Sequence, residues 1–501
     1  MNRHHRIRRV LIAVTLASLA TLVAAQSITI ASPGSTGAFI DPQRNNAIAA
    51  MGVSEMIADT LLLYRDGEYH PALATSWSFD AASLTWTFEL REGVTFHNGV
   101  PFDADAVVFS IERIKNPDDP MPASGYLGIV EEARATGPYT VEIVLNALNP
   151  DFLLTLFSTW IVEPSSAADG ATPVGTGPYF VTEYEPDQRI VLTRFDDYWG
   201  GAAAIPQVIV RNIPDPGTLV LELEAGTVDL IMFTPPRDVL RLDAAGFNAM
   251  PFGAVNAAYV ALNNVNLSPE LRQAICWALD RDVLLETAYA GLGEPMLTVA
   301  RAGSWAHDPS VTGYVYDPER AKEVLDAAGY VDTTGDGYRE QGGQRLDLDL
   351  QSRGDGEWLL SSQIIQQFLD DVGIRSTITT SERTTYYDAV RTGRYDVGWF
   401  ITNALPEPPI LNHVFHSSEY WNVSQGPRAD LDALIDAGRG TADQAERIAA
   451  YSEFQRIVFE DAINCPILWV QQVHVGNPRL AGVKINEQGI LHDVHTWTLG
   501  D

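Results

Sequence analysis

Residues Leu84–Ile114, LTWTFELREGVTFHNGVPFDADAVVFSIERI, contain a change of hydrophobic period that decides how the chain is read. Polar and apolar residues alternate from Leu84 to Arg91, which predicts a strand with Trp86 and Phe88 on one face. Gly93 to Phe102 is a turn-rich link carrying His97, Asn98 and Gly99. Asp103 is a good N-cap, and the apolar spacing after it predicts an amphipathic helix over 104–114. A second informative stretch is Pro173–Gly201, PVGTGPYFVTEYEPDQRIVLTRFDDYWGG. A glycine-rich turn at Gly175–Pro178 leads into a hairpin, with strands over 179–184 and 189–195 around the turn Glu185-Pro186-Asp187-Gln188.

The flanking sequence alternates strands and helices. Strands are expected at 27–31, 139–145, 207–213, 259–264, 345–351, 375–380, 395–401 and 467–475. A helix running into an extended segment is expected over 52–63, and helices at 219–226, 270–279, 317–328, 358–372, 385–393 and 443–461. This order predicts an α/β architecture. At 501 residues the chain is too long for one core and implies about three units.

Four arginines (Arg3, Arg6, Arg8 and Arg9) precede the apolar run Val10–Ala25, which ends in the small residues Val23-Ala24-Ala25. This has the pattern of a secretory signal over 1–25, too short to span a bilayer. No cysteine follows the run, so the expected product is an exported protein without a lipid anchor. The formal charge is −32; without the four arginines it is 29 − 65 = −36. A chain this acidic repels phosphate backbones, which excludes nucleic acid as a partner. Cys276 and Cys465 are the only cysteines, and the sequence allows either a bridge or two separate buried thiols.

The long-spaced aromatic pattern of Leu84–Ile114 resembles the signature segment of the family 5 extracellular solute-binding proteins, the peptide- and nickel-binding receptors of ABC importers. Pro173–Gly201 resembles the family's return from a satellite subdomain into the first lobe. Thr227-Val228-Asp229-Leu230, the run LRQAICWALDRDVLL from Leu271 and the helix Asp317–Gly329 resemble further family segments. The resemblance implies a two-lobed periplasmic-binding-protein fold with an extra subdomain inserted in the first lobe. Its expected divisions are 26–64, 173–260 and 475–501 for the first lobe, 65–172 for the insert and 261–474 for the second lobe. It also implies a monomeric periplasmic receptor that closes on its ligand and hands it to inner-membrane permease subunits.

The sequence contains no catalytic constellation. G-x-S-x-G and H-E-x-x-H are absent, and none of the three lysines (Lys115, Lys322, Lys484) follows a P-loop glycine pattern. A secreted hydrolase is therefore disfavoured, and no cofactor is expected. His97 lacks a nucleophile in view. His413/His416 are read in a loop behind Pro408-Pro409, and His492/His495 in a strand, so neither pair is expected to hold a metal. Asp332-Thr-Thr-Gly-Asp-Gly337 resembles the start of a calcium loop, but Gly343 stands where the closing carboxylate belongs. Glu340 is a weak substitute, so a tight turn is expected.

In the family's peptide receptors an aspartate shortly after the "YDV..W" strand holds the ligand's amino terminus. The resemblance places Asn403 at that position, with Glu407-Pro408 following. Asparagine accepts a hydrogen bond but supplies no charge. Either Glu407 replaces the aspartate or the ligand lacks a free α-amine, which brings in oligosaccharides, metal chelates and modified peptides. Trp399, Tyr420 and Trp421 could stack on a sugar or line a side-chain pocket. Arg391 lies near a carboxylate-holding position, and Tyr259 and Gln471 lie on strands that border the cleft in the family.

Overall fold

A computed structural model describes residues 27–500 apart from 34–39, 45–47, 66, 120, 122, 168–172, 403–408, 420 and 487–488. The signal-like segment 1–25 and the candidates Asn403, Glu407 and Tyr420 lie outside the described residues.

One mixed sheet runs through the molecule. Its strand order is Arg375–Ser381, Asp347–Arg353, Val397–Thr402, Asn248–Leu262, Asn464–Gly476, Leu230–Ile231, Ser27–Ser32, Gln207–Asn212, Arg189–Arg194 and Tyr179–Glu185, with Gly293–Pro295 also paired to Asn464–Gly476. The first three strands are parallel and belong to the second lobe. The last five belong to the first lobe. Two long antiparallel strands, Asn248–Leu262 and Asn464–Gly476, extend into both lobes.

These two strands are longer than the runs 259–264 and 467–475 expected from sequence. Gly253 sits inside a bulge, where the register shifts between Phe252 and Asn256. Gly253 has φ +82°, and an added Cβ would fall 2.6 Å from Asn256 Nδ2. A bulge leaves backbone unpaired and bends the strand.

The satellite sheet, in the order Ala74–Asp80, Thr85–Leu90, Thr140–Leu145, Val130–Gly137, is covered by the helix Ala104–Lys115. Asp103 caps that helix by accepting from Ala106 N–H at 3.2 Å, as the sequence predicts. Phe88, Phe96, Phe102 and Val107 have no exposed surface, which accounts for the aromatic pattern of Leu84–Ile114.

Pro173–Gly201 folds as the expected hairpin and ties the satellite to the first lobe. A Cβ on Gly175 would lie 2.1 Å from the Ile57 carbonyl oxygen, and one on Gly177 would lie 2.6 Å from that carbonyl's carbon. Only glycine allows this approach. Asp59, two residues past the helix Ile48–Ile57, accepts from Thr176 Oγ1 at 2.8 Å, Trp199 Nε1 at 2.9 Å and Tyr198 OH at 3.2 Å. Burial pushes the Asp59 carboxyl up, and the three donors oppose that shift.

Cys276, on the helix Pro269–Ala278, is bonded to Cys465 on the strand Asn464–Gly476, with Cα atoms 5.4 Å apart and both residues fully buried. The bridge joins positions 189 residues apart. Chain-entropy arguments place the stabilisation from closing so long a loop at about 5 kcal/mol or less. Cys276→Ser/Cys465→Ser is therefore expected to lower the melting temperature by several degrees, measured calorimetrically against the oxidised parent.

Asp59→Ala removes the acceptor for three donors and is expected to cost about 2–4 kcal/mol. Chemical denaturation would show this as a lowered midpoint.

Candidate ligand-binding cleft

In parallel α/β sheets, ligand crevices open at the carboxyl ends of the strands. In the second lobe, Asp347–Arg353 and Val397–Thr402 are parallel and end at one edge, with Gln351 level with Gly398. Thr402 pairs with Ala257, one residue beyond the bulge. The strand ends and the bend between the lobes therefore converge on one line.

Along that line, buried Asn256 donates from Nδ2 to Gln472 Oε1 at 3.1 Å, while its Oδ1 has no partner among the described residues. On the first-lobe side, Phe233 adopts φ 55°, a left-handed conformation that costs about 1–3 kcal/mol. Its N–H donates to His474 Nδ1 at 3.1 Å, and His474 Nε2 donates to the Gly489 carbonyl at 3.0 Å. Burial holds the His474 pKa near 4, so the ring is neutral and serves as a brace between Phe233 and Phe252.

A protein-family model of the bacterial extracellular solute-binding proteins, family 5, matches residues 68–422. The chain belongs to that family. Heme-binding protein A of Haemophilus influenzae is 26% identical over 469 residues, covering 86% of this chain and 84% of the relative. The dipeptide-binding protein of Escherichia coli is 26% identical over 497 residues, covering 90% of each. Among solved structures, NikA from Brucella suis in complex with Fe(III)-EDTA superposes with a TM-score of 0.84 at 27% identity, covering 94% of this chain and 99% of the other. The curated relatives are binding proteins, and this family 5 member is likewise a solute receptor of an import system and not an enzyme. Among the described residues, no helix is long and apolar enough to cross a membrane.

The solute-binding protein distributes the sequence candidates unevenly. Trp421 is half-buried against Tyr387 and Phe400, with ring centroids 5.3 and 6.1 Å away. Gln471 lies half-buried on the long strand, its N–H donating to the Leu292 carbonyl at 3.2 Å.

Trp399 and Tyr259, expected at the ligand, have no exposed surface and pack in the second lobe's core. Trp399 Nε1 donates to Tyr289 OH at 3.3 Å, and Tyr259 packs edge-on to Phe415. Their strands are central and covered on both faces, so alternation there does not mark a cleft side. Arg391 ends the helix Arg383–Arg391, which starts from the strand edge. Nine residues carry it about 13 Å away from that edge. Sequence reasoning missed Arg353, Glu357 and Arg383, which stand at the strand-to-helix junctions themselves. The junctions are the only signal that could have found them.

The described histidines that the sequence singles out make other contacts. His97 Nε2 donates to the Gly177 carbonyl at 2.9 Å, and burial pushes its pKa to about 4. Pro409 opens a helix, Pro409–Phe415, where a loop was expected, because proline is tolerated in a first helical turn. His416 Nδ1 faces Ser418 Oγ at 2.7 Å and its Nε2 lies 3.5 Å from Asp436. The expected strand over 492–497 is a two-residue strand followed by a 3-10 turn, Val494–Thr496, and His495 packs against Tyr198. Asp332, Asp336 and Glu340 bring carboxylate oxygens within 4.8 Å of one another. Each is already engaged: Asp332 by Gly335 and Gly337 N–H, Asp336 by Arg345, and Glu340 by Thr333.

Away from the two long strands, the lobes also touch through side chains. Asp151 of the satellite pairs with Arg447 of the helix Gln444–Glu460 at 2.6 Å. Arg447 is 8% exposed, donates to the Gly438 carbonyl at 3.0 Å and lies 4.7 Å from the Trp305 ring centre. Asp151→Asn leaves that guanidinium without its counter-charge and is expected to cost the lobe contact about 1–3 kcal/mol. X-ray scattering of the ligand-free protein would report this as an increased radius of gyration.

Proposed function

We propose that this receptor captures a peptide, or a polar ligand of similar size, by closing its two lobes, and delivers it to permease subunits in the inner membrane. The carrying observation is the shared edge where two parallel strand ends meet the bulged bend between the lobes. A ligand there touches both lobes at once, so its binding energy favours the closed arrangement. The half-buried Trp421–Tyr387 pair offers an aromatic wall beside open strand ends, a mode suited to extended polar chains. The E. coli relative that binds dipeptides, matched over nine-tenths of both chains, supports the same class. Asn403, Glu407 and Tyr420 are kept as proposed ligand contacts, and export by the segment 1–25 to act as a periplasmic monomer is part of the same proposal. The lobe limits 26–64, 65–172, 173–260, 261–474 and 475–501 are part of the same reading. Three separate apolar cores, centred on the first lobe, the satellite and the second lobe, support them.

A thermal-shift screen with di- to pentapeptides, oligosaccharides and nickel chelates tests the assignment. At 100 times its dissociation constant a ligand adds about 3 kcal/mol, so peptides are expected to raise the melting temperature by several degrees. A shift with sugars or chelates and none with peptides would overturn the peptide class. Asn403→Asp adds an anion at the proposed amine position and is expected to tighten binding of free peptides.

A further inference from the structure

A cavity in the second lobe lies between the start of the strand Asn464–Gly476, the last turns of the helix Gln444–Glu460 and the segment 297–314. The space inside it open to the centre of a water molecule is about 10 Å³. One ordered water needs roughly that much room and about two to four polar partners. The walls are apolar apart from Thr298, Tyr314, Gln455 and Asn464, and none of the lining residues is charged.

Asn464 has no exposed surface, and neither its Nδ2 nor its Oδ1 has a hydrogen-bond partner among the described residues. Strand alternation aims this amide at the cavity. Cys465 turns its sulfur toward the helix Pro269–Ala278, so the residues on either side of it point to the opposite face. Those residues, Asn464 and Pro466, both line the cavity. An amide buried with both ends unpaired is unfavourable and calls for a partner.

The other polar groups of the wall have already placed their hydrogens. Thr298 Oγ1 donates to the Ala300 carbonyl at 2.8 Å, and Tyr314 OH donates to the Phe459 carbonyl at 2.5 Å. Gln455 Nε2 donates to the Ala306 and Tyr451 carbonyls at 2.7 and 2.9 Å, and its Oε1 accepts from Asp308 N–H at 3.3 Å. Each of these side-chain oxygens keeps a lone pair. The wall therefore offers acceptors from several residues and one side-chain group with free hydrogens, Asn464 Nδ2. An anion finds too few donors, and a cation finds no carboxylate in an uncharged, largely apolar lining. A water molecule matches the set, because it accepts from Nδ2 and gives its own hydrogens to the oxygens.

We propose that Asn464 holds one structural water, which joins the start of the long strand to the end of the helix Gln444–Glu460. The same helix carries Arg447, so the water belongs to the scaffold behind the contact with Asp151. This site is independent of which ligand the cleft takes.

A crystal structure of the full chain tests it. One solvent peak is expected in the cavity, about 2.7–3.2 Å from the Asn464 amide. Flat density there would overturn the proposal, as would a peak with the roughly 2.3–2.6 Å contacts of a bound calcium ion. Asn464→Leu keeps the size of the side chain and removes both polar ends, so the peak is expected to be lost. A peak that persists in this variant would overturn Asn464 as the holder. Oxygen-17 relaxation dispersion reads the same difference in solution, as one fewer long-lived water in the variant; an equal number would overturn the proposal. Where the variant fails to fold, the parent crystal under xenon pressure decides. A dry apolar cavity takes up xenon, so the parent is expected to take up none here, and xenon density in the cavity would overturn the proposal.

Discussion

The pairing of Asn248–Leu262 with Asn464–Gly476 is the interaction on which the remaining architecture rests. Asn464–Gly476 pairs onward to Leu230–Ile231 and Asn248–Leu262 pairs onward to Val397–Thr402, so the strands on either side are joined into one sheet only through this pair. Continuous pairing would make the molecule one stiff slab. The ladder is interrupted at two close levels, between Phe252 and Asn256 and between Ala258 and Tyr259, so bending concentrates in that short stretch. The neighbouring groups suit such a bend: Asn256 holds Gln472 across the two strands, and His474 braces Phe233 and Phe252 beneath it.

The second lobe brings the end of Val397–Thr402 level with this bend. The helices Gly356–Asp371 and Arg383–Arg391 follow parallel strands and run back from the strand ends, so their starts lie at that edge and their ends are remote from it. That polarity explains why residues close in type and sequence differ in role. Arg383 and Arg391 lie on the same helix, one at the edge and one a helix length away. The disulfide fastens the helix Pro269–Ala278 to the start of the long strand, so the lobe's core and its share of the bend form one body.

Local patterns carried much of the fold. Asp103 and Asp317 cap the helices they were expected to cap, and the hairpin of Pro173–Gly201 forms where alternation and turn residues place it. Features set by distant partners could not be read in this way. The glycines at 175 and 177 answer to the Ile57 carbonyl, more than a hundred residues away, and the Tyr198-Trp199 pair answers to Asp59. The bridge between Cys276 and Cys465 likewise depends on a packing that no spacing reveals. Aromatic content did not distinguish burial: Trp399 and Tyr259 sit on strands covered on both faces, whereas Trp421, in a turn, keeps part of its surface exposed.

The attachment of the satellite sheet has a mechanical consequence. Asp59 gathers donors from Thr176, Tyr198 and Trp199, and Gln43 of the first lobe donates from Nε2 to the Ser110 and Trp160 carbonyls at 3.2 and 2.8 Å. These ties span the joint between satellite and first lobe, so the two rotate together. The satellite is then a lever arm: a small rotation at the bulge sweeps Asp151 through a larger arc, and one ion pair at the arm's end resists opening with more torque than the same pair placed beside the bend.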